Sequence, residues 1–264
     1  MRGRFAPSPT GQMHLGNAWT ALLAWLQVRA AGGCLVLRME DLDPERSRKE
    51  YVQGLEADLR WLELDWDEGG GLSGAHGPYA QDERRGLYEE ALQRLQRQGL
   101  IYSCYCTRAE LAASAPHSED GERVYPGTCA NGVAEEKCCR KPSLRLKVPE
   151  EEIAFEDGVY GLMRQNLRQE CGDFVVRRSD GVHAYQLAVV VDDALMGITH
   201  VLRGADLLSS TPRQLYLYRL LGYEAPSFSH VPLLVDEAGV RLSKRHGALA
   251  VAVLRERGVR AEKI

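Results

Sequence analysis

A chain of 264 residues, 44% hydrophobic and 27% charged, can hold one large or two small domains and has the composition of an ordinary globular protein. Its net charge of −4 excludes a global basic field, so any nucleic-acid contact must rest on a local basic patch. No apolar run approaches the ~18 residues of a membrane span, and the N-terminus lacks a signal-peptide pattern, so a cytoplasmic protein without membrane contact is expected.

Residues 4–17, Arg-Phe-Ala-Pro-Ser-Pro-Thr-Gly-Gln-Met-His-Leu-Gly-Asn, carry the first functional signal. A short apolar segment runs into two prolines and a glycine, and His14-x-Gly16 then opens an apolar run over 18–26. This pattern predicts a strand, a tight turn and a helix with His14, Gly16 and Asn17 at its mouth. The outward backbone N–H groups of such a helix mouth suit phosphate.

Residues 34–40 read as a buried strand ending in polar residues, and 41–44 as a turn. A helix follows over 47–62, where Tyr51, Leu55, Leu59 and Leu62 recur at helical spacing. Glycines 69–71, 74 and 77 mark a surface loop, and 81–98 reads as a second amphipathic helix stopped by Gly99. This order predicts an α/β fold with a parallel sheet wrapped by helices. Ligands of such folds sit at the carboxyl ends of the strands, where Arg4, Ser8, His14 and Glu40 fall.

From 101 to about 147 periodicity fades, and Cys104, Cys106, Cys129, Cys138 and Cys139 cluster there, five of the chain's seven cysteines. In a reducing compartment such clustering points to a metal rather than to disulfides. Spacing alone favours Cys138 or Cys139 as a fourth ligand. Strand-like runs resume from Leu144, including 173–178. An apolar run over 185–196 is broken by Asp192-Asp193, which look like a metal pair by residue type. Residues 198–204 alternate as a strand ending in Arg203-Gly204, and Thr211-Pro212 opens a helix. A strand is expected over 230–235 and a basic loop over 239–245. Met39, Trp19 and Trp25 read as core packing, Glu150-Glu151-Glu152 as a solvated turn, and His117 and His183 as surface or pocket-edge groups.

His14-Leu15-Gly16-Asn17 resembles the HIGH element of class I aminoacyl-tRNA synthetases, and Leu242-Ser243-Lys244-Arg245 their KMSKS loop. Between them, 189–193, 196–206 and 211–214 resemble the glutamyl branch, so the resemblance spans residues 2 to about 250. It implies a Rossmann-type class I catalytic core, with its halves at 1–100 and 173–264 and a zinc-bearing insertion at 101–172. For Asp192 and Asp193 it implies caps or hydrogen-bond acceptors rather than a metal pair. The chain ends about 20 residues after the lysine loop, a layout that resembles the glutamyl-queuosine tRNA(Asp) synthetase family, which lacks the anticodon-binding domain. Cys104-x-Cys106 with Tyr125-x3-Cys129 matches that family's zinc site and implies Tyr125 as the fourth ligand of one structural Zn²⁺.

The resemblance also implies L-glutamate, ATP with Mg²⁺ and a queuosine-containing tRNA(Asp) as partners, and a monomer is expected. Arg4, Phe5, Ala6, Pro7, Ser8, Glu40, Tyr185 and Arg203 would hold glutamate, arginine forks pairing with carboxylates and Glu40 with the ammonium group. His14, Gly16, Asn17, Ser243 and Lys244 would hold ATP, with His14, Gly16 and Lys244 stabilising charge during adenylate formation. Three rivals remain: the catalytic portion of a glutamyl-tRNA synthetase charging the 3′ end of tRNA(Glu), a non-catalytic zinc-stabilised tRNA-binding module, and another nucleotidyltransferase of the same superfold.

Overall fold

The computed structural model describes residues 1–114, 124–133, 139–236, 239, 242 and 250–264. Strands β1 (Arg2–Phe5), β2 (Cys34–Leu37) and β3 (Glu68–Gly69) alternate with helices α1 (Leu15–Ala30) and α2 (Lys49–Trp61). Helix α3 (Arg85–Arg97), strand β4 (Ile101–Cys104) and helix α4 (Arg108–Ser114) follow. Then come β5 (Ser143–Leu146), β6 (Glu152–Asp157), β7 (Gly161–Asn166), α5 (Leu167–Glu170) and β8 (Phe174–Arg177). The chain closes with α6 (Tyr185–Leu195), β9 (His200–Gly204), α7 (Thr211–Leu221), β10 (Ser227–Val231) and α8 (Val251–Glu256).

The main sheet has the order β3-β2-β1-β9-β10-β6-β7, parallel except for the β6–β7 hairpin. The chain moves outward from β1 through β2 to β3, then restarts on the other side of β1 with β9 and β10. That reversal makes the β1–β9 boundary a topological switch point, where strand ends diverge and leave a crevice. Only Gly3 and His200 are paired across it. Period-two alternation sorts β2: Leu35 and Leu37 join the core under α1 and α2, while Val36 faces the core built with α3, α6 and α7.

Several boundaries differ from the sequence reading. The helix expected over 81–98 begins as a 3₁₀ turn, Gln81–Arg84. Residues three apart eclipse in that geometry, which brings Gln81 Nε2 and Arg84 Nε to the same carboxylate of Asp192, at 2.7 and 2.6 Å. The strand expected over 230–235 is β10, which starts earlier and stops before Pro232, a residue with no N–H for a ladder. Glu152 opens β6 rather than completing a turn, although 150–152 are exposed. His183 is buried, 3.3 Å from Glu89 and edge-on to Tyr88.

A smaller antiparallel sheet, β4-β5-β8, stands apart from the main one. It combines Ile101–Cys104 and Ser143–Leu146 with Phe174–Arg177, while the hairpin over 152–166 extends the main sheet beside β10. No described helix is long and apolar enough to cross a membrane.

Candidate active site and metal cluster

A cleft of 520 Å³ lies over the switch point and is lined by Arg4, Phe5, Ala6, Pro7, Ser8, His14, Gly16, Asn17, Glu40, Tyr185 and Arg203. The residues expected from sequence to hold glutamate therefore share one space with the α1 N-terminus. Ser243 and Lys244 lie outside the described residues. Leu242, just before them, lines the same cleft and donates its amide to Leu234 O at 2.9 Å.

His14 is the N-cap of α1. Its Nδ1 accepts from Gly16 N at 3.1 Å, while Asn17 Oδ1 faces the His14 amide at 3.4 Å, a reciprocal cap. Accepting through Nδ1 leaves the neutral imidazole proton on Nε2. A Cβ on Gly16 would stand 3.0 Å from the His14 ring and 3.9 Å from Leu242 O. Glycine thus keeps the helix mouth low where the 242 segment passes over it.

The cleft floor is charged and largely buried. Glu40 Oε1 accepts from Arg38 Nη2 at 3.2 Å. Burial raises its carboxyl above the usual range against the opposing pull of Arg38 and Arg4. Arg4 donates Nη1 to Leu202 O at 3.3 Å and sits 3.6 Å from Asp193 through Nε. Arg203 donates Nε to His230 Nε2 at 3.0 Å and Nη2 to Thr211 Oγ1 at 2.8 Å. Burial, with Arg4 nearby, lowers its pKa. Arg4 Nε and Arg203 Nη1 are buried without a hydrogen-bond partner among the described residues. Two guanidinium groups in one cleft, one of them with an unmet donor, suit a ligand bearing carboxylates.

Three supporting residues, Arg38, Asp157 and His230, had no recognisable role in the sequence. Arg38 is fully buried and holds Asp193 at 2.5 Å. Asp193 thereby links Arg38 to Arg4, and Asp192 gathers Gln81, Arg84 and Tyr88, so both aspartates act as hydrogen-bond acceptors. Asp157 and His230 stand behind Arg203, with His230 Nδ1 2.6 Å from Asp157 Oδ2. Asp157-Gly158 looks like an ordinary hairpin turn and His230 like a strand residue. An ionisable group inside the apolar run of α6 was the one available signal.

At the end of β4, the sulfur atoms of Cys104, Cys106 and Cys129 lie within 4.8 Å of one another, a group able to hold a metal ion. Cys106 and Cys129 Sγ are 3.6 Å apart, close to the ~3.8 Å that a tetrahedron with 2.3 Å metal–sulfur bonds requires. Tyr125 Oη stands 3.3 Å from Cys104 Sγ and 3.9 Å from Cys106 Sγ and accepts from Cys129 N at 3.0 Å. Cys139 is exposed, and Cys138 lies outside the described residues. Burial raises the Cys104 thiol, but hydrogen bonds from Tyr125 and Arg145 outweigh it and bring the pKa to about 7. Burial lifts Cys106 to about 11 and holds the Tyr125 phenol well above its usual range. A divalent cation would reverse that balance for both. Arg145 stacks 3.6 Å above the Tyr125 ring.

The sequence profile of class I tRNA synthetases (E and Q), catalytic domain, matches residues 1–263. The chain is 55% identical over 272 residues to the Glutamyl-Q tRNA(Asp) synthetase of Nitratidesulfovibrio vulgaris, covering 100% of this chain and 84% of that protein. It is 45% identical to the Glutamate--tRNA ligase of Sulfurihydrogenibium sp., covering 100% of this chain but 56% of the ligase. The glutamate-tRNA synthetase of Elizabethkingia anophelis superposes with a TM-score of 0.80 at 30% identity, over 94% of this chain and 53% of that one. The chain thus spans about half the length of these two glutamate enzymes.

Proposed function

The chain belongs to the class I tRNA synthetase family as a catalytic domain of the glutamate and glutamine branch, and on that premise we propose that it activates L-glutamate with ATP and passes it to the queuosine base of tRNA(Asp), as a cytoplasmic monomer. The observation that carries the amino-acid part is the cleft in which Arg4, Arg203 and Glu40 converge beside the N-terminus of α1. The acceptor rests on the similarity to the Glutamyl-Q tRNA(Asp) synthetase of Nitratidesulfovibrio vulgaris across 84% of its length.

In this reading the unmet N–H of Arg203 and the guanidinium of Arg4 receive carboxylates of glutamate, and Glu40 accepts from the α-ammonium. Phe5, Ala6, Pro7, Ser8 and Tyr185 shape the pocket. The α-carboxylate oxygen attacks the α-phosphorus of ATP, a phosphorus–oxygen bond forms, and pyrophosphate departs with the electrons of the broken bond. No side-chain nucleophile is needed; placement and charge stabilisation carry the step. His14 Nε2 and the Asn17 side-chain NH₂ offer donors at the helix mouth, Gly16 leaves room beside them, and Ser243 and Lys244 would face the same phosphates. Mg²⁺ enters with ATP as part of the substrate.

Cys104, Cys106, Cys129 and Tyr125 form the proposed zinc site. Four ligands close the coordination shell, so the ion's role would be structural, tying the end of β4 to the segment around 125–129.

Glutamate-dependent exchange of pyrophosphate into ATP tests activation, and its absence with and without tRNA would leave only a tRNA-binding module. The acceptor is tested by glutamylation of tRNA(Asp) with and without queuosine. Labelling that requires queuosine is expected. Labelling of the 3′ end of tRNA(Glu) instead would favour the second reading, a glutamate–tRNA ligase activity suggested by the 45% identity to such an enzyme.

A further inference from the structure

We infer that Asp157 and His230 form a positioning relay that fixes how Arg203 presents itself to glutamate. The inference rests on the proposed glutamate site and adds two residues that do not line it. His230 is fully buried on β10, between Asp157 of β6 and Arg203 of β9. Its Nδ1 is 2.6 Å from Asp157 Oδ2 and its Nε2 is 3.0 Å from Arg203 Nε.

A guanidinium N–H can only donate, so His230 Nε2 must present a lone pair. The ring proton then sits on Nδ1 and is donated to Asp157. The Thr211 hydroxyl, 3.2 Å from Nε2, receives Arg203 Nη2–H and can add its own proton to the same lone pair. This arrangement holds three nitrogens of Arg203 differently: Nε on His230, Nη2 on Thr211, and Nη1 without a partner among the described residues. The face of Phe228, 5.2 Å from the guanidinium carbon, limits rotation. Nη1 is thereby kept for a carboxylate in the cleft.

Asp157 is itself locked. Its Oδ1 accepts backbone N–H groups from Val159 at 3.0 Å, Tyr160 at 3.0 Å and His230 at 3.2 Å. This gives Asp157→Asn a directed effect. The amide oxygen is held by the three backbone donors, so the NH₂ group replaces Oδ2 and points at His230 Nδ1. The imidazole must then accept there and carry its proton on Nε2, opposing Arg203 Nε–H donor to donor. The substitution changes the tautomer while leaving side-chain volume almost unchanged.

In glutamate-dependent ATP–pyrophosphate exchange, Asp157→Asn should raise KM for glutamate roughly 10- to 100-fold, the scale of one buried hydrogen bond to a charged group. KM for ATP should stay within about twofold of wild type. His230→Gln, whose amide oxygen can accept from Arg203 without help from Asp157, should lose less, and adding Asp157→Asn to it should cost little more. A folded Asp157→Asn enzyme with wild-type KM for glutamate, or with both KM values raised equally, overturns the relay. Nitrogen-15 spectra of the histidine rings in the unaltered protein give an independent answer: an Nδ1–H tautomer for His230 is expected, and Nε2–H overturns the proposal even if the variant does not fold. Absence of glutamate-dependent exchange in the wild-type enzyme would overturn the functional reading instead, leaving the tautomer measurable.

Discussion

Arg203 is a costly residue in isolation, because its buried Nη1 has no described partner, and Arg4 meets Asp193 only at 3.6 Å, beyond hydrogen-bond distance; burying an unpaired polar group is unfavourable. In the proposed function a dicarboxylic amino acid turns that cost into binding. Glu40 has the same logic with opposite sign: burial works against its carboxylate, and an adjacent ammonium would restore it. In the proposed function Lys244 completes the residue-scale reading, neutralising charge that develops on the phosphates. Lys244→Ala should lower exchange about ten- to a thousandfold, the scale of one transition-state charge contact, with glutamate KM little changed; wild-type exchange rates would remove it from the site. The motif residues were legible because their chemistry is local: His14 caps its own helix, and Gly16 lies two residues away. His230 and Asp157 were not, since nothing in the chain between them marks two residues 73 apart as partners.

Among the elements, the N-terminus of α1 and the segment bridging the two sheets have the largest consequences. Tyr125 and Gly172 form a parallel bridge in which Tyr125 N donates to Cys171 O at 3.2 Å. Gly172 has a φ of +68°, and a Cβ there would lie 2.2 Å from Tyr125 O. Backbone cannot yield as a flexible side chain can, so Gly172→Ala combines a left-handed conformation with a collision. A loss of at least about 1–2 kcal/mol is expected, measured by thermal unfolding, together with weaker metal retention. The periodic helices α1, α2 and α3 were readable because each buries a stripe set by its own spacing. The 3₁₀ start of α3 was not, because the contacts of Gln81 and Arg84 are with Asp192 on a distant helix.

For the whole molecule, the order of strands matters more than their number. Placing β9 beside β1 brings Arg203 to Arg4 and leaves the cleft between diverging strand ends. Buried ion pairs behind it, Arg38 with Asp193 and Arg84 with Asp192, hold β2, the 3₁₀ turn and α6 in one frame. Removing one partner from such a pair leaves an uncompensated charge, so rigidity of the site and stability of the fold are linked. The small sheet depends on the cysteine cluster in the proposed reading. Metal analysis should find about one zinc per chain, and a strong chelator should lower the unfolding temperature. Tyr125→Phe should weaken zinc retention; full retention would return the fourth position to Cys138 or Cys139.

Helix periods, the turn that delivers His14 to its helix mouth and the two motif strings follow from neighbours within a few residues, and the sequence by itself determined them. It also supplied the cysteines and Tyr125 that converge at β4. The partners of each buried charge were decided only by the tertiary structure. Which arginine meets Asp193, which tautomer His230 adopts, and how 152–166 join the main sheet depend on desolvation and on contacts between distant segments. Those quantities exist only once the chain has packed, and they give Arg203 its orientation.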